Sequence, residues 1–132
     1  MTGPLALELY AASTADDTDF TATLVDMYPN GRAVNLVEGI VRARLRDSLE
    51  RPSLIEPGRA YCYLISLGET SNLFRAGHRI RLEVSSSNFP RFSRNLNSGD
   101  DPATASRMVV ARQTVLHDAA HPSCLLLHVI PR

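Results

Sequence analysis

Apolar residues recur along this chain mostly at every second position. Leu5, Leu7 and Leu9 alternate with Ala6, Glu8 and Tyr10, the period of a strand with one face on a core. Phe20 to Met27 is rich in threonine and valine, as strands are. Tyr28-Pro29-Asn30-Gly31 closes it with a hairpin turn. A return strand follows from Arg32 to about Asp47. Val34 and Leu36 share one phase, and Val41, Ala43 and Leu45 share the other, so a bulge is expected near Glu38-Gly39. Arg42, Arg44 and Arg46 then form a basic row on the opposite face, expected to meet water or a protein partner.

Arg51 to Gly58 holds two prolines and a glycine and reads as an irregular connection. Tyr61, Tyr63, Ile65 and Leu67 mark the next strand. Gly68 to Gly77 is a loop whose Leu73 and Phe74 are expected to plug back into the core. In His78 to Asn95, Ile80, Leu82 and Val84 alternate with Arg79, Arg81 and Glu83. Three serines and an asparagine then break the period, and Pro90 stops the strand. A regular strand thus delivers a loop carrying Phe89, Arg91, Phe92 and Arg94. Aromatic and guanidinium groups gathered on one loop predict a covering surface. Asn95 to Ser106 is a polar excursion. Met108 to His117 and Cys124 to Ile130 are the last strands, joined by Asp118 to Ser123. Leu125, Leu126, Leu127, Val129 and Ile130 are apolar on both faces, which predicts an interior final strand. About seven strands separated by turn signals, with no convincing helix, predict an all-β sandwich or jelly roll.

The length of 132 residues suits one domain, residues 1–132. Fourteen basic residues balance 14 acidic ones, which argues against nucleic acid or an anionic membrane as partner. No apolar run is long enough to span a bilayer, and the first residues carry no basic and apolar leader pattern. A cytoplasmic location is therefore expected. Cys62 and Cys124 each sit in an apolar run and are expected to be buried, reduced thiols.

Catalytic and metal-binding patterns are weak. Ser86, Asp118 and His121 have a triad order, but no nucleophile elbow surrounds the serines. His117 and His121 are spaced as ligands only on a helix, and Pro122 breaks that segment. His128, in an apolar strand, reads as structural. Asp16, Asp17 and Asp19 lack the spacing of a calcium loop and read as a turn capping its own backbone. No catalytic residue, cofactor or metal is expected.

Three segments carry a resemblance: TGPLALELYAASTADDTDFTATLVDMYPNGRAVNLVEGIVRARLR, FRAGHRIRLEVSSSNFPRFSRNLNSG and ARQTVLHDAAHPSCLLLHVIP. Together they resemble the C-terminal, non-catalytic domain of X-Pro dipeptidyl-peptidase-like serine hydrolases, the CocE/NonD group of cocaine-esterase-like enzymes. The resemblance implies a galactose-binding-like jelly roll, here without its first strands, packed against an α/β-hydrolase catalytic domain. That domain would hold the triad, so none of its residues carries over, and the chain alone is expected to be inert. Asn88, Phe89, Pro90, Arg91, Phe92 and Arg94 are the expected domain interface, with Asp19 tied to Arg91 or Arg94. An edge left by missing strands would be covered by a partner or a second copy, as a homo-oligomer. The alternative is a free-standing carbohydrate-binding module, for which the chain offers no tryptophan platform.

Overall fold

A computed structural model describes residues 1–131. Its strands are β1 (Thr2–Ser13), β2 (Asp19–Met27), β3 (Ala33–Arg42), β4 (Tyr61–Ser71), β5 (Arg79–Ser85), β6 (Gln113–Leu116) and β7 (Cys124–Leu126), with one 3-10 turn at Ala43–Leu45. They form two antiparallel sheets. β1 lies between β4 on one side and β6 and β7 on the other; β2 lies between β3 and β5. The result is the β-sandwich that the alternation predicts.

The two long inner strands build the core. Leu5, Leu7, Leu9 and Ala11 of β1 point inward and meet Phe20, Ala22 and Leu24 of β2 and Tyr63, Ile65 and Leu67 of β4. Each such leucine contributes on the order of 2 kcal/mol by leaving water. Phe20 and Tyr63 pack with ring centroids 4.9 Å apart. At Leu5 the pairing of β1 with β4 slips by one residue, and Gly68 takes a φ of 82° there. A side chain would oppose that left-handed conformation, so glycine sets the bulge.

Several expectations change. The bulge of the return strand falls at Leu36, between the pairs Leu24–Val37 and Val25–Asn35, and not at Glu38-Gly39. Gly39 serves a different purpose: a Cβ there would sit 2.0 Å from the carbonyl oxygen of Ser66, so β3 and β4 touch backbone to backbone. The return strand ends at Arg42, because Ala43 turns away and donates its N–H to the Thr18 carbonyl at 2.8 Å. The final strand is not interior. Among the described residues β7 pairs with β1 alone, and Leu126, Val129 and Ile130 are exposed. Leu73 is also exposed, and half-buried Phe74 lines a surface groove beside it without packing on the core, so neither residue is a core plug. Both cysteines are exposed. Cys62 lies opposite Tyr10 and Cys124 opposite Glu8, and those two residues of β1 stand on its outward phase.

Tyr63 is fully buried and its hydroxyl finds no hydrogen-bond partner among the described residues. Burial pushes its pKa up to about 12, against the pull of Arg46. The unfolded chain releases this proton near pH 10 and the folded one near 12. Stability contributed by the neutral phenol is therefore complete below pH 10 and is lost as pH rises from 10 to 12. Tyr63→Phe removes the unpartnered hydroxyl. It should leave stability at pH 7 unchanged or raised by up to about 1 kcal/mol, and should remove this part of the alkaline loss. Urea titrations of both proteins at pH 8 and pH 11 measure it; equal alkaline losses would refute the assignment.

Candidate docking face

The loop that leaves β5 is fastened to β3 through one carboxylate. Glu38 accepts a hydrogen bond from Asn88 Nδ2 at 2.6 Å and pairs with Arg91 Nε at 2.6 Å. Arg91 also lies over the Phe92 ring, 5.7 Å from its centroid. Phe92 is half-buried and lines a concave groove of about 740 Å³, with Ile40, Leu45, Leu49 and Leu64 on its walls. Leu49 and Leu64 are 84% and 65% exposed. Phe89, in a cis peptide with Pro90, is 68% exposed. Arg94 is exposed, with Met108 Sδ as its contact at 3.9 Å. The structure thus joins Asn88, Arg91 and Phe92 into one patch and leaves Phe89, Pro90 and Arg94 on the open surface.

Beneath this face lies a buried polar anchor. Asp19 is not tied to Arg91 or Arg94. It faces Arg42 across the β2–β3 ladder and takes two hydrogen bonds from it, 2.9 and 3.1 Å, in a fork-to-fork pair. Beyond the end of that ladder Asp17, in the turn before β2, meets Arg44 of the 3-10 turn: its carboxylate accepts from Arg44 Nε at 2.7 Å and from the Arg44 backbone N–H at 2.9 Å. Arg42 and Arg44 therefore do not form a solvated row. Asp17 and Asp19 are fully buried, so the guanidinium groups turn inward to them. The hydrogen bond with Asp19 raises the pKa of Arg42 against the opposing effect of desolvation. Arg46 stacks 4.4 Å from the Tyr61 centroid and donates to the carbonyls of Ala43 and Ser53.

The link between turn and loop is Asn95. Its Nδ2 donates to Asp17 Oδ2 at 2.9 Å and to Asp19 Oδ1 at 2.8 Å, and its Oδ1 accepts from the Asn97 backbone at 2.9 Å. Arg44 extends the tie to the carbonyl of Asp100 at 2.9 Å. The aspartates do not cap their own turn; Ser13 does, accepting from the Ala15 N–H at 3.2 Å. A buried carboxylate needs charge-assisted donors, and the turn's own backbone cannot supply enough of them. Asn95 was invisible as a site residue in the sequence, where it is one more polar residue in a polar excursion. The available signal was an Asp-x-Asp and an Arg-x-Arg placed to meet where the β2–β3 ladder ends.

The other candidates sit apart. Asp118 takes hydrogen bonds from the Ala120 backbone and from His121, which hold its carboxyl below the usual range; this is a capped turn on the surface. Among the described residues no hydrogen bond joins Ser86 to that pair, and no three His, Cys, Asp or Glu side chains are placed to hold a metal ion. His128 is exposed and packs beside Gly3. No helix among the described residues is long and apolar enough to cross a membrane.

Two antiparallel sheets, an inward ion-pair network and an apolar groove at one corner make this an all-β sandwich domain. More specifically, residues 1–126 match the family described as the X-Pro dipeptidyl-peptidase C-terminal non-catalytic domain, and the chain belongs to it. The chain is 46% identical over 134 residues to cocaine esterase of Rhodococcus sp., covering all of this chain and 23% of that protein. An aminopeptidase structure from a marine-sediment Thaumarchaeota archaeon superposes with a TM-score of 0.93 at 27% identity, over 98% of this chain and 23% of that one. An α-amino acid ester hydrolase shares the fold with a TM-score of 0.87 at 24% identity, over 94% of this chain and 23% of that one. The chain thus spans about a quarter of the length of these relatives.

Proposed function

We propose that residues 1–132 form a single accessory domain of a serine hydrolase acting on esters or X-Pro peptide amides. The domain is itself non-catalytic, and its Asn88–Arg94 loop packs against an α/β-hydrolase catalytic domain in the same polypeptide. The observation that carries this reading is the 46% identity to cocaine esterase running across the whole chain while covering only 23% of that enzyme. The groove beside Phe92 supports it, because its exposed Leu49 and Leu64 are apolar surface that a partner would remove from water. A galactose-binding-like jelly-roll connectivity and a cytoplasmic location belong to the same reading.

Grafting tests it. Cocaine esterase with its matching segment replaced by this chain should retain ester hydrolysis, and the chain alone should have none. Phe92→Ala in that graft should weaken domain docking by about 2 kcal/mol, roughly thirtyfold, since a half-buried aromatic in a groove is a typical anchor. The readout is the dissociation constant with which the separately added domain, with or without Phe92→Ala, restores thermal resistance to the truncated esterase. Turnover by the chain alone, or docking indifferent to Phe92, would refute the proposal.

A further inference from the structure

The tip of the β2–β3 hairpin sets a carboxamide beside an uncrowded peptide nitrogen. Tyr28 to Arg32 make the turn. The Tyr28 N–H donates to the Arg32 carbonyl at 2.8 Å, and the Gly31 N–H donates to the Tyr28 carbonyl at 3.0 Å. Asn30 Oδ1 accepts from the Arg32 N–H at 3.0 Å, which curls the carboxamide back along the Gly31 peptide. Pro29 to Arg32 are all exposed, and a Cβ placed on Gly31 would meet nothing within 4 Å. Water can therefore replace the Tyr28 carbonyl at the Gly31 nitrogen and free it to react.

Asn30 differs from every other asparagine in the chain. It alone precedes glycine; the others precede leucine, phenylalanine or serine, whose side chains crowd the next nitrogen. Asn88, Asn95 and Asn97 also hold their Nδ2 in hydrogen bonds, to Glu38, to Asp17 and Asp19, and to the Val109 carbonyl. Among the described residues Asn30 Nδ2 has no such bond, so the amine is free to leave. The Arg32 N–H, already on Oδ1, would stabilise the charge that gathers there when Cγ is attacked.

We propose that Asn30 is a self-modifying site, whose deamidation loosens the hairpin tip from the start of β5. The Gly31 nitrogen gives its proton to solvent and attacks Asn30 Cγ. An N–Cγ bond closes a five-membered succinimide, the Cγ–Nδ2 bond breaks, and ammonia leaves. Water then opens the ring at either carbonyl, giving aspartate or isoaspartate, with no change of oxidation state. In isoaspartate the main chain runs through Cβ and Cγ and is longer by one methylene. The tip cannot absorb that extra length in place. Tyr28 stacks on His78 with ring centroids 4.2 Å apart, His78 Nδ1 meets Asp26 at 2.9 Å, and Pro29 lies against Gly77. This chemistry involves neither the groove beside Phe92 nor a catalytic domain, so it stands or falls apart from the proposed function.

Peptide mass mapping of the 132-residue chain, aged in the folded state in warm, mildly alkaline buffer, tests the proposal. The peptide holding Asn30 should gain about one dalton, as a carboxyl replaces the carboxamide, and peptides holding the other asparagines should not. The rate should rise with pH, because the attacking nitrogen must first lose its proton. An isoaspartate methyltransferase should label the product. Asn30→Gln, which closes a larger ring less readily, should slow the reaction about tenfold or more. In the aged chain, amides of the tip and of His78 should exchange hydrogen about tenfold faster. Freshly purified Asn30→Asp keeps the acceptor for the Arg32 N–H and the normal main chain, so it should exchange like the parent. If Asn30 stays intact in the folded chain while the chain in urea deamidates there, the turn shields its own asparagine and the proposal is overturned. Equal rates for Asn30 and Asn30→Gln also overturn it, as does isoaspartate that leaves hairpin exchange unchanged.

Discussion

Asp17→Ala should destabilise the protein by about 3–5 kcal/mol, the cost of leaving a mostly buried guanidinium without its carboxylate. The Asp17 side chain is fully buried and that of Arg44 only 13% exposed, so solvent screens the pair little. The loss extends further than one ion pair. Asp17 also accepts from the Arg44 backbone and from Asn95, so the substitution orphans three donors and loosens the excursion that Arg44 holds at Asp100. The melting temperature should fall on the order of 10 °C. Arg44→Met alone should cost a comparable amount, because it leaves the Asp17 carboxylate buried and unpaired. The double variant Asp17→Ala/Arg44→Met should be clearly less harmful than the two single costs added together, since it removes both charges. Urea denaturation of the four proteins completes the cycle. Strict additivity would mean that the two groups do not interact, contrary to the 2.7 Å contact.

The second large effect is expected at Gly39. Alanine there would drive its methyl group to 2.0 Å from the Ser66 carbonyl oxygen and 2.9 Å from the carbonyl carbon. A side-chain tip could rotate away, but a backbone carbonyl held within β4 cannot. The corner where β3 meets β4 must therefore open, at about 3 kcal/mol. Opening that corner also distorts the groove, because Ile40 and Ser66 both line it. Gly39→Ala should thus lower both thermal stability and docking of the grafted domain. A melting temperature within a degree or two of the parent's would show that the corner yields freely.

How far the sequence could be read follows from what alternation encodes. Leu5, Leu7 and Leu9 are all buried, as their spacing required, because a strand between two neighbours has one inner phase. The same logic failed for Arg42 and Arg44. Period two separates faces but does not say which face meets buried acids contributed by the turn before β2 and by the first residue of β2. Beyond Cys124 the sequence is apolar on both phases, which an interior strand and an edge strand lining an open groove satisfy equally. For the loop after β5, Phe92, Arg91 and Asn88 were legible as a cluster because they are near one another in sequence. Their fastening point, Glu38, and the clasp at Asn95 were not, since both depend on contacts across 50 and 76 or more residues. The family match accounts for the sandwich, whereas these long-range polar contacts decide how its loop is presented.

The placement of the two thiols has a practical consequence. Cys62 and Cys124 stand on the solvent side of strands that flank β1, one on β4 and one on β7, and neither takes part in the core. They are ready-made attachment points for a pair of spin labels or fluorophores, with a rigid strand as the spacer between them. The natural chain can therefore carry its own molecular ruler, one that reports fraying of this sheet without a single engineered residue.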